Sequence, residues 1–363
     1  NRKRQRLRKY HPLTVRALHN ETPDSVRVSL AVPDDVRDAF EFLPGQHLPM
    51  QINLDGKPVR RTYSICSVPG EHLLQIGVRV QPGGVFSEYV QQQLKVGDTI
   101  EVMPPFGQFH ANPDPDAART YLAFAAGSGI TPVMSIIRAI LENEPESRFV
   151  LFYGNRRQRT TMFIDDLYGL KNRFPERLQL YFLFSQEEQE FDIFSGRMDS
   201  AKVSELYQSF CQGLDPDDAY ICGPDTMIET VKAGLVEAGM KDSSVHIERY
   251  GAPRKGGGPR PAVSQKHVGK LATVDVIMDG HKKSFDMPVD GGNLVDAAAE
   301  QGIELPYSCK GGVCATCRTH VRDGEVNMAV NYGLEPWEVE KGFVLACQSV
   351  PTSDHVTIDY DKT

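Results

Sequence analysis

LPYSCKGGVCATC, residues 305–317, carries three cysteines as Cys309-x4-Cys314-x2-Cys317, and a fourth, Cys347, follows after 29 intervening residues. Four thiolates at this spacing suit a plant-type [2Fe–2S] cluster. The residues between the first two, Lys310, Gly311, Gly312 and Val313, are mostly small, so the loop can wrap tightly and turn backbone N–H groups toward the sulfurs. A structural zinc site is the alternative, but zinc sites usually pair two close Cys-x2-Cys knuckles, whereas here one ligand stands alone far downstream. Three cysteines crowded into one loop argue for metal over disulfides. Cys66 and Cys211 have no such company and read as small buried hydrophobes.

Around this loop, LATVDVIMDG and HKKSFDMPVD form an expected hairpin turning at Asp279 and Gly280, NLVDAAAEQG an expected helix, and VTIDYD a closing strand. Upstream, APRKGGGPRPAVSQK, Ala252–Lys266, has the Gly, Pro and charge content of a flexible linker. From Tyr121 to Gly251 apolar strands alternate with helical stretches, as in YLAFAAG then TPVMSIIRAILEN, which implies a doubly wound parallel α/β sheet. From Thr14 to about Phe109 the pattern is short β-rich runs, SVRVSLAV, HLPMQINL, LLQIGVRV and DTIEVMPP, between Gly, Pro and Asp turns. That reads as a small antiparallel barrel or sandwich. The expected divisions are a basic tail at 1–9, a β-barrel domain at 10–115, an α/β domain at 116–251, the linker at 252–266 and a third domain at 267–363.

A chain of 363 residues accommodates two or three such cores. With 40% hydrophobic and 24% charged residues it has an ordinary globular composition, and no uninterrupted apolar run is long enough to cross a bilayer. Asn1–Lys9 holds six basic residues but no apolar stretch or cleavage site of a secretory signal, so a cytoplasmic location is expected, with neither nucleic acid nor membrane as partner. The net charge of −8 is uneven: from Val268 onward there are 15 acidic and 8 basic residues. This acidity suggests a docking surface for a basic partner, and a solvated face gives the same count.

Gly127-Ser128-Gly129-Ile130-Thr131-Pro132 follows the strand YLAFAA and opens a helix, where unpaired N–H donors and close backbone approach suit a dinucleotide phosphate. Pro132 replaces the third glycine of the full fingerprint, and a tight structural turn looks the same. The next strand ends in Asn155-Arg156-Arg157, with Arg159 close by, where an NAD site often carries an acidic residue; arginine suits a 2′-phosphate, although a solvated basic loop is the plain alternative. Ile221-Cys222-Gly223-Pro224 returns a thiol and a turn to the ligand-binding edge of the sheet. In the barrel, Arg61-Thr62-Tyr63-Ser64 follows an expected turn at Lys57-Pro58, and alternation puts Arg61 and Tyr63 on one face. A guanidinium and a planar ring suit a cofactor combining phosphate with a flat heterocycle, as an ordinary edge strand also would. Gly83-Gly84-Val85-Phe86-Ser87 precedes the helical EYVQQQL and repeats the phosphate-at-helix-start pattern.

The ordered series RTYS, GGVFS, GSGITP, CGP and CKGGVCATC with Cys347 resembles ferredoxin-NADP reductase-type oxygenase reductases with a C-terminal ferredoxin domain, over nearly the whole chain. More closely, YGNR, ICGP, HIERY and NYGLEPWEVEKGFVLACQ resemble the reductase subunits of phenylacetyl-CoA epoxidases, multicomponent di-iron enzymes, and almost as well those of steroid 9α-hydroxylases. The resemblance implies FAD, NADPH as hydride donor, a [2Fe–2S] cluster in a β-grasp ferredoxin domain, and an oxygenase component as partner. It implies that Tyr63 stacks on the flavin, Ser64 lies near its N5, and Arg61, Gly84 and Ser87 hold its pyrophosphate, with Thr62, Val78, Val80, Gly83, Val85 and Phe86 beside the cofactor. Gly127, Ser128, Gly129 and Thr131 would border the dinucleotide together with Asn155, Arg156 and Arg157. Cys222, Gly223 and Pro224 would lie near the nicotinamide, and Glu248 and Tyr250 at the flavin edge. Tyr63, Ser64, Cys222 and Glu248 form the implied catalytic set. A reductase for a Rieske-type oxygenase, or a general iron–sulfur electron carrier or redox sensor, shares the same electron path.

NADPH gives up two electrons as a hydride, a cluster takes one at a time, and a flavin can do both. The linker then implies a ferredoxin domain that alternates between flavin and partner. A linker stiffened with prolines is expected to slow partner reduction and leave NADPH-to-flavin transfer intact, as read by stopped-flow absorbance; equal slowing of both steps would exclude the alternation.

Overall fold

The computed structural model describes residues 9–250, 271–289 and 292–362. The linker expected at 252–266 and nearly all of the basic tail lie outside them. Two compact units emerge, one of Lys9–Val59 and Tyr63–Arg249, the other of the C-terminal residues together with Arg60–Thr62 and Tyr250; strand β4, which contains Arg60–Thr62, is described with the sheet it pairs in.

The first unit opens with six strands, β1 (His11–Thr22), β2 (Ser25–Ala31), β3 (His47–Leu54), β4 (Lys57–Ser64), β5 (Leu73–Arg79) and β6 (Thr99–Val102), ordered β4-β3-β6-β1-β2-β5. Alternation fixes which side faces inward: Val26, Val28 and Leu30 of β2 and Leu74, Ile76 and Val78 of β5 are all buried in one core. Helix α1 (Val85–Gln92) adds Phe86 to that core. The turn expected at Lys57-Pro58 is instead made by Asp55 (φ 51°) and Gly56 (φ 76°), with Lys57 and Pro58 already in β4. Two successive positive-φ residues form the tight hairpin whose twist matches its strands, and proline cannot take that conformation.

The same unit continues into five parallel strands, β7 (Thr120–Ala126), β8 (Arg148–Asn155), β9 (Leu178–Phe184), β10 (Asp218–Cys222) and β11 (Val245–Glu248), ordered β11-β10-β7-β8-β9. Both faces are covered, which is why the strands read as nearly unbroken apolar runs. Tyr121, Ala123 and Ala125 face α2 (Ile130–Asn143) and α3 (Ile164–Arg173); Leu122 and Phe124 face α4 (Ser200–Phe210) and α5 (Asp225–Glu237). The chain steps from β7 outward to β9, then returns to lay β10 on the other side of β7. That reversal opens a crevice at the carboxyl ends of β7 and β10.

Barrel and sheet meet along a close-packed seam. A Cβ at Gly77 of β5 would come within 2.7 Å of Thr131 Cγ2, 2.8 Å of Met162 Cε and 2.9 Å of Phe163 Cζ. An added methyl there overpacks the seam, at about 1–3 kcal/mol. The buried Ser135 hydroxyl of α2 donates to the Ser67 carbonyl at 2.6 Å, and Arg79 donates to the Thr160 carbonyl at 2.6 Å. Cys66 lies in the seam-side core and burial pushes its thiol up to about 12, as it does for Cys211 in the opposite core, so both are structural.

The second unit contains β12 (Leu271–Met278), β13 (His281–Pro288), β14 (Arg318–Asp323), β15 (Val326–Met328), β16 (Phe343–Leu345), β17 (Ser349–Pro351) and β18 (His355–Asp359), with helices α6 (Leu294–Glu300) and α7 (Pro336–Glu340). Its main sheet runs β13-β12-β18-β14-β16, with β12 and β18 paired in parallel, and β15 pairs with β17. The expected hairpin turns at Asp279 (φ 55°) and Gly280 (φ 77°), whose amides both donate to the Asp361 carboxylate at 2.8 Å. Asn293 caps α6 by accepting from Val295 N and Asp296 N at 3.1 Å. Among the described residues no helix is long and apolar enough to cross a membrane.

Candidate cofactor sites

The crevice at the end of β7 is shaped by an absent side chain. Gly129 lies so close to β10 that a Cβ would overlap the Cys222 carbonyl oxygen and carbon and come within 3.0 Å of Gly223 N. Gly223 is equally confined: a Cβ would meet Met227 Cε at 2.7 Å and Ala126 Cβ at 3.1 Å. The GSG and CGP turns, 93 positions apart, therefore form one wall. Gly127 takes φ +56°, and its carbonyl accepts from the Tyr153 hydroxyl at 2.9 Å. Thr131 is buried, its hydroxyl donating to the Ser128 carbonyl at 2.9 Å and its methyl against Gly77. Pro224 precedes α5, whose first-turn Asp225 is bound by Arg249 at 2.8 Å.

One strand over, the ends of β8 and β9 stay knitted beyond their last pairs: Ser185 N donates to the Asn155 carbonyl at 3.0 Å and Gln186 N to the Arg156 carbonyl at 2.9 Å. Glu187 accepts from Gln158 N at 2.7 Å. Asn155 is buried and its Nδ2 has no hydrogen-bond partner among the described residues. Arg156, Arg157 and Arg159 are exposed, and none forms an ion pair among the described residues. A buried amide lacking a partner beside three uncompensated guanidinium groups is a donor set suited to a phosphorylated ribose.

On β4, Arg61 is exposed, Thr62 and Tyr63 are half-buried and Ser64 is buried. The Tyr63 ring rests on Phe86, centroids 5.3 Å apart and tilted 42°, so Phe86 supports the ring from the core. Gly83 takes φ +76°, and Gly84 precedes α1 with no room for a Cβ, which would lie 2.6 Å from Ser87 Oγ. Ser87 Oγ accepts from Gln81 N at 3.1 Å and donates to the Gly84 carbonyl at 3.0 Å, pinning the turn, while Val85 is exposed. Val78 is in the barrel core; Val80 N donates to the Asp24 carbonyl at 2.8 Å.

Register gathers the implied catalytic residues of this unit. Cys222 lies opposite Ala125 on one side and Glu248 on the other. Glu248 faces His47 of β3, Nδ1 to Oε1 3.4 Å, with side chains 11% and 7% exposed. His47 is also beside the RTYS strand, because Ile65 N donates to the Gln46 carbonyl at 2.9 Å. Sequence reasoning missed His47: a lone histidine in an alternating strand carries no mark, and only the fold puts Glu248 against it. Tyr250 is 47% exposed.

In the second unit the four cysteines fall into two pairs. Cys309 and Cys314 each receive the other's backbone amide at 3.4 Å, Gly311 N donates to Cys309 Sγ at 3.3 Å, and Cys347 N to Cys317 Sγ at 3.5 Å. The Cys314 thiol, donating to Cys309, brings Cys309 down to about 5, and Cys317 likewise lowers Cys347. Cys314 and Cys317 are pushed well above the ordinary thiol range, each chiefly by that partner. Lys310 (φ 50°), Gly312 (φ 75°) and Ala315 (φ 45°) bend the loop. No group of three or more His, Cys, Asp or Glu among the described residues converges as on one metal ion. Two sulfur pairs under backbone donors fit two irons with two thiolates each better than one tetrahedral zinc.

A barrel joined to a doubly wound sheet, followed by a unit with a plant-type cysteine set, defines a flavin- and nicotinamide-dependent iron–sulfur reductase. Family models described as oxidoreductase FAD-binding domain, oxidoreductase NAD-binding domain and 2Fe-2S iron-sulfur cluster binding domain match residues 12–111, 124–233 and 276–352. The chain is 42% identical to a component polypeptide of the 1,2-phenylacetyl-CoA epoxidase of Escherichia coli (strain K12), covering 97% of this chain and 98% of that protein. It is 33% identical to the ferredoxin reductase component of 3-ketosteroid-9-alpha-monooxygenase from Rhodococcus rhodochrous, covering 96% of each. Phthalate dioxygenase reductase shares the fold, with a TM-score of 0.57 and 22% identity over 96% of this chain and 98% of that one. The chain belongs to the family of FAD-, NAD- and [2Fe–2S]-binding reductase components of multicomponent oxygenases.

Replacing Gly129 by alanine is expected to push apart the β7 and β10 turns and raise the half-saturating concentration of reduced nicotinamide dinucleotide by about tenfold or more. The visible absorption of the cluster serves as the control and should not change. Unaltered kinetics would show that the close approach to Cys222 is not needed for binding.

Proposed function

We propose that this chain moves electrons from NADPH through FAD and a [2Fe–2S] cluster to the di-iron oxygenase component of a phenylacetyl-CoA epoxidase. The observation that carries the reading is the paired cysteine set on the same chain as a dinucleotide crevice, since only a device that turns a hydride into single electrons needs both. The name of the Escherichia coli relative supplies the partner. A cytoplasmic location belongs to the proposal.

When bound, FAD supplies two-electron acceptance and one-electron release, and the cluster supplies one-electron carriage. Arg61, with Gly83, Gly84, Val85 and Ser87 at the start of α1, binds the FAD phosphates. Tyr63, backed by Phe86, provides a flat apolar surface for the ring, with Thr62, Val78 and Val80 lining its surroundings. Gly127, Ser128, Gly129 and Thr131 admit the dinucleotide backbone. Cys222, Gly223 and Pro224 bound the nicotinamide pocket and exclude water from it, while Ser64, Glu248 and Tyr250 lie at the flavin edge. Cys309 and Cys314 hold one iron, and Cys317 and Cys347 the other. No side-chain base is needed, because a hydride carries its own electron pair.

The test is NADPH oxidation coupled to product formation, with the phenylacetyl-CoA oxygenase components and separately with a steroid 9α-oxygenase. Turnover with phenylacetyl-CoA alone supports the assignment. Turnover with the steroid system alone would favour the second reading, motivated by the Rhodococcus relative, and leave the electron path as proposed. Turnover with neither would favour a general electron carrier.

In this reading Asn155, Arg156 and Arg157 hold the 2′-phosphate of NADPH. Arg156→Ala with Arg157→Ala is expected to raise the KM for NADPH by about tenfold or more and to change that for NADH by less than about twofold. An equal rise for both would remove the 2′-phosphate assignment.

A further inference from the structure

His47 is buried, at 5% exposure, in the barrel of a protein whose other described histidines are less enclosed or differently engaged, and neither of its ring nitrogens has a hydrogen-bond partner among the described residues. A buried polar group left open requires a physical explanation. The ring is held in place: a Cβ at Gly107 would come within 2.9 Å of its Cε1 and Nδ1, and Phe106 meets it edge-on with centroids 5.3 Å apart. Its Nδ1 is 3.4 Å from Glu248 Oε1, in contact but not aligned as a hydrogen bond in this arrangement. Glu248 forms its only ion pair among the described residues with this ring. The other charged side chains of the same strand and its end are already engaged, His246 with Asp218 at 2.8 Å and Arg249 with Asp225 at 2.8 Å.

His47 and Glu248 also come from different halves of the first unit, the barrel and the parallel sheet. His47 belongs to β3, next to the strand carrying Tyr63 and Ser64, whereas Glu248 ends β11 in register with Cys222. The pair is therefore a lateral tie between the barrel residues expected to bear FAD and the sheet residues expected to bear the nicotinamide. Hydride transfer needs its two rings within near-attack distance, and a misplacement of about 1 Å costs about a hundredfold in rate.

We propose that His47 is a positioning residue for hydride transfer, acting through Glu248: its imidazole holds the Glu248 carboxylate from the barrel side and thereby keeps the barrel and sheet in the register that brings donor and acceptor together. This rests on the reading of Glu248 at the flavin edge. The pair acts on placement, so it governs the limiting rate and not the affinity for the dinucleotide.

The experiment uses the full-length holoprotein and the variants His47→Leu, His47→Gln, Glu248→Gln and the double His47→Leu/Glu248→Gln. Stopped-flow flavin bleaching gives the limiting reduction rate and the half-saturating NADPH concentration, and release of flavin fluorescence on heating gives the thermal midpoint of the first unit. His47→Leu is expected to lower the limiting rate by about tenfold while the half-saturating concentration changes by less than about twofold. His47→Gln, which keeps a polar group of similar reach facing Glu248, should recover most of the rate. In the Glu248→Gln background His47→Leu should add no further loss of rate, and the losses in thermal midpoint should fail to add. Multiplying rate losses, additive midpoints, or a His47→Gln protein no better than His47→Leu would overturn the proposal. A Glu248→Gln protein with an unchanged limiting rate would instead overturn the flavin-edge reading on which it rests, a separate failure seen in that single variant.

Discussion

The close approach of Gly129 to the carbonyl of Cys222 organises the first unit. Parallel strands point their carboxyl ends one way, and where the winding order reverses, two turns must share the space above β7 and β10. Only a residue without a side chain lets them share it. Because β10 pairs with β11 in register, Glu248 lies beside Cys222 at the same end of the sheet.

The seam between barrel and sheet is built on a related constraint. It uses glycines where side chains of the other half arrive, Gly77 against Thr131 and Met162 and Gly45 against Ile136, with a buried hydroxyl-to-carbonyl bond between Ser135 and Ser67. Each such bond contributes about 1 kcal/mol net, but losing its donor strands a buried carbonyl at about 1–3 kcal/mol. A seam of this kind resists sliding more than one of interchangeable apolar contacts. That suits a cleft in which two flat cofactors must meet at a fixed separation.

The iron–sulfur loop depends on shorter-range physics. Its bends come from Lys310, Gly312 and Ala315 at positive φ, and its donors are its own backbone amides. Segment 330–333 closes over it: a Cβ at Gly333 would lie 2.5 Å from the Val313 carbonyl oxygen, and Tyr332 N donates to the Gly312 carbonyl at 2.9 Å. Within each cysteine pair the donating thiol lowers its partner, Cys314 that of Cys309 and Cys317 that of Cys347, which reflects how close the two sulfurs of a pair lie.

Strand alternation, strand–helix succession and ligand spacing are local properties that neighbouring residues carry, so the three-part architecture and the cysteine set were legible from residue order alone. The sequence also marked the glycine turns and the arginine loop, each as a short run with its own chemistry. It misplaced the turn before RTYS, reading a proline where Asp55 and Gly56 supply the positive φ. Which of these runs meet was fixed by packing alone. The contact of Gly129 with Cys222, the register of Cys222 with Glu248, and the approach of His47 to Glu248 join residues 93, 26 and 201 positions apart. Such juxtapositions arise from strand order and packing, which depend on the whole chain folding at once, and no local pattern records them.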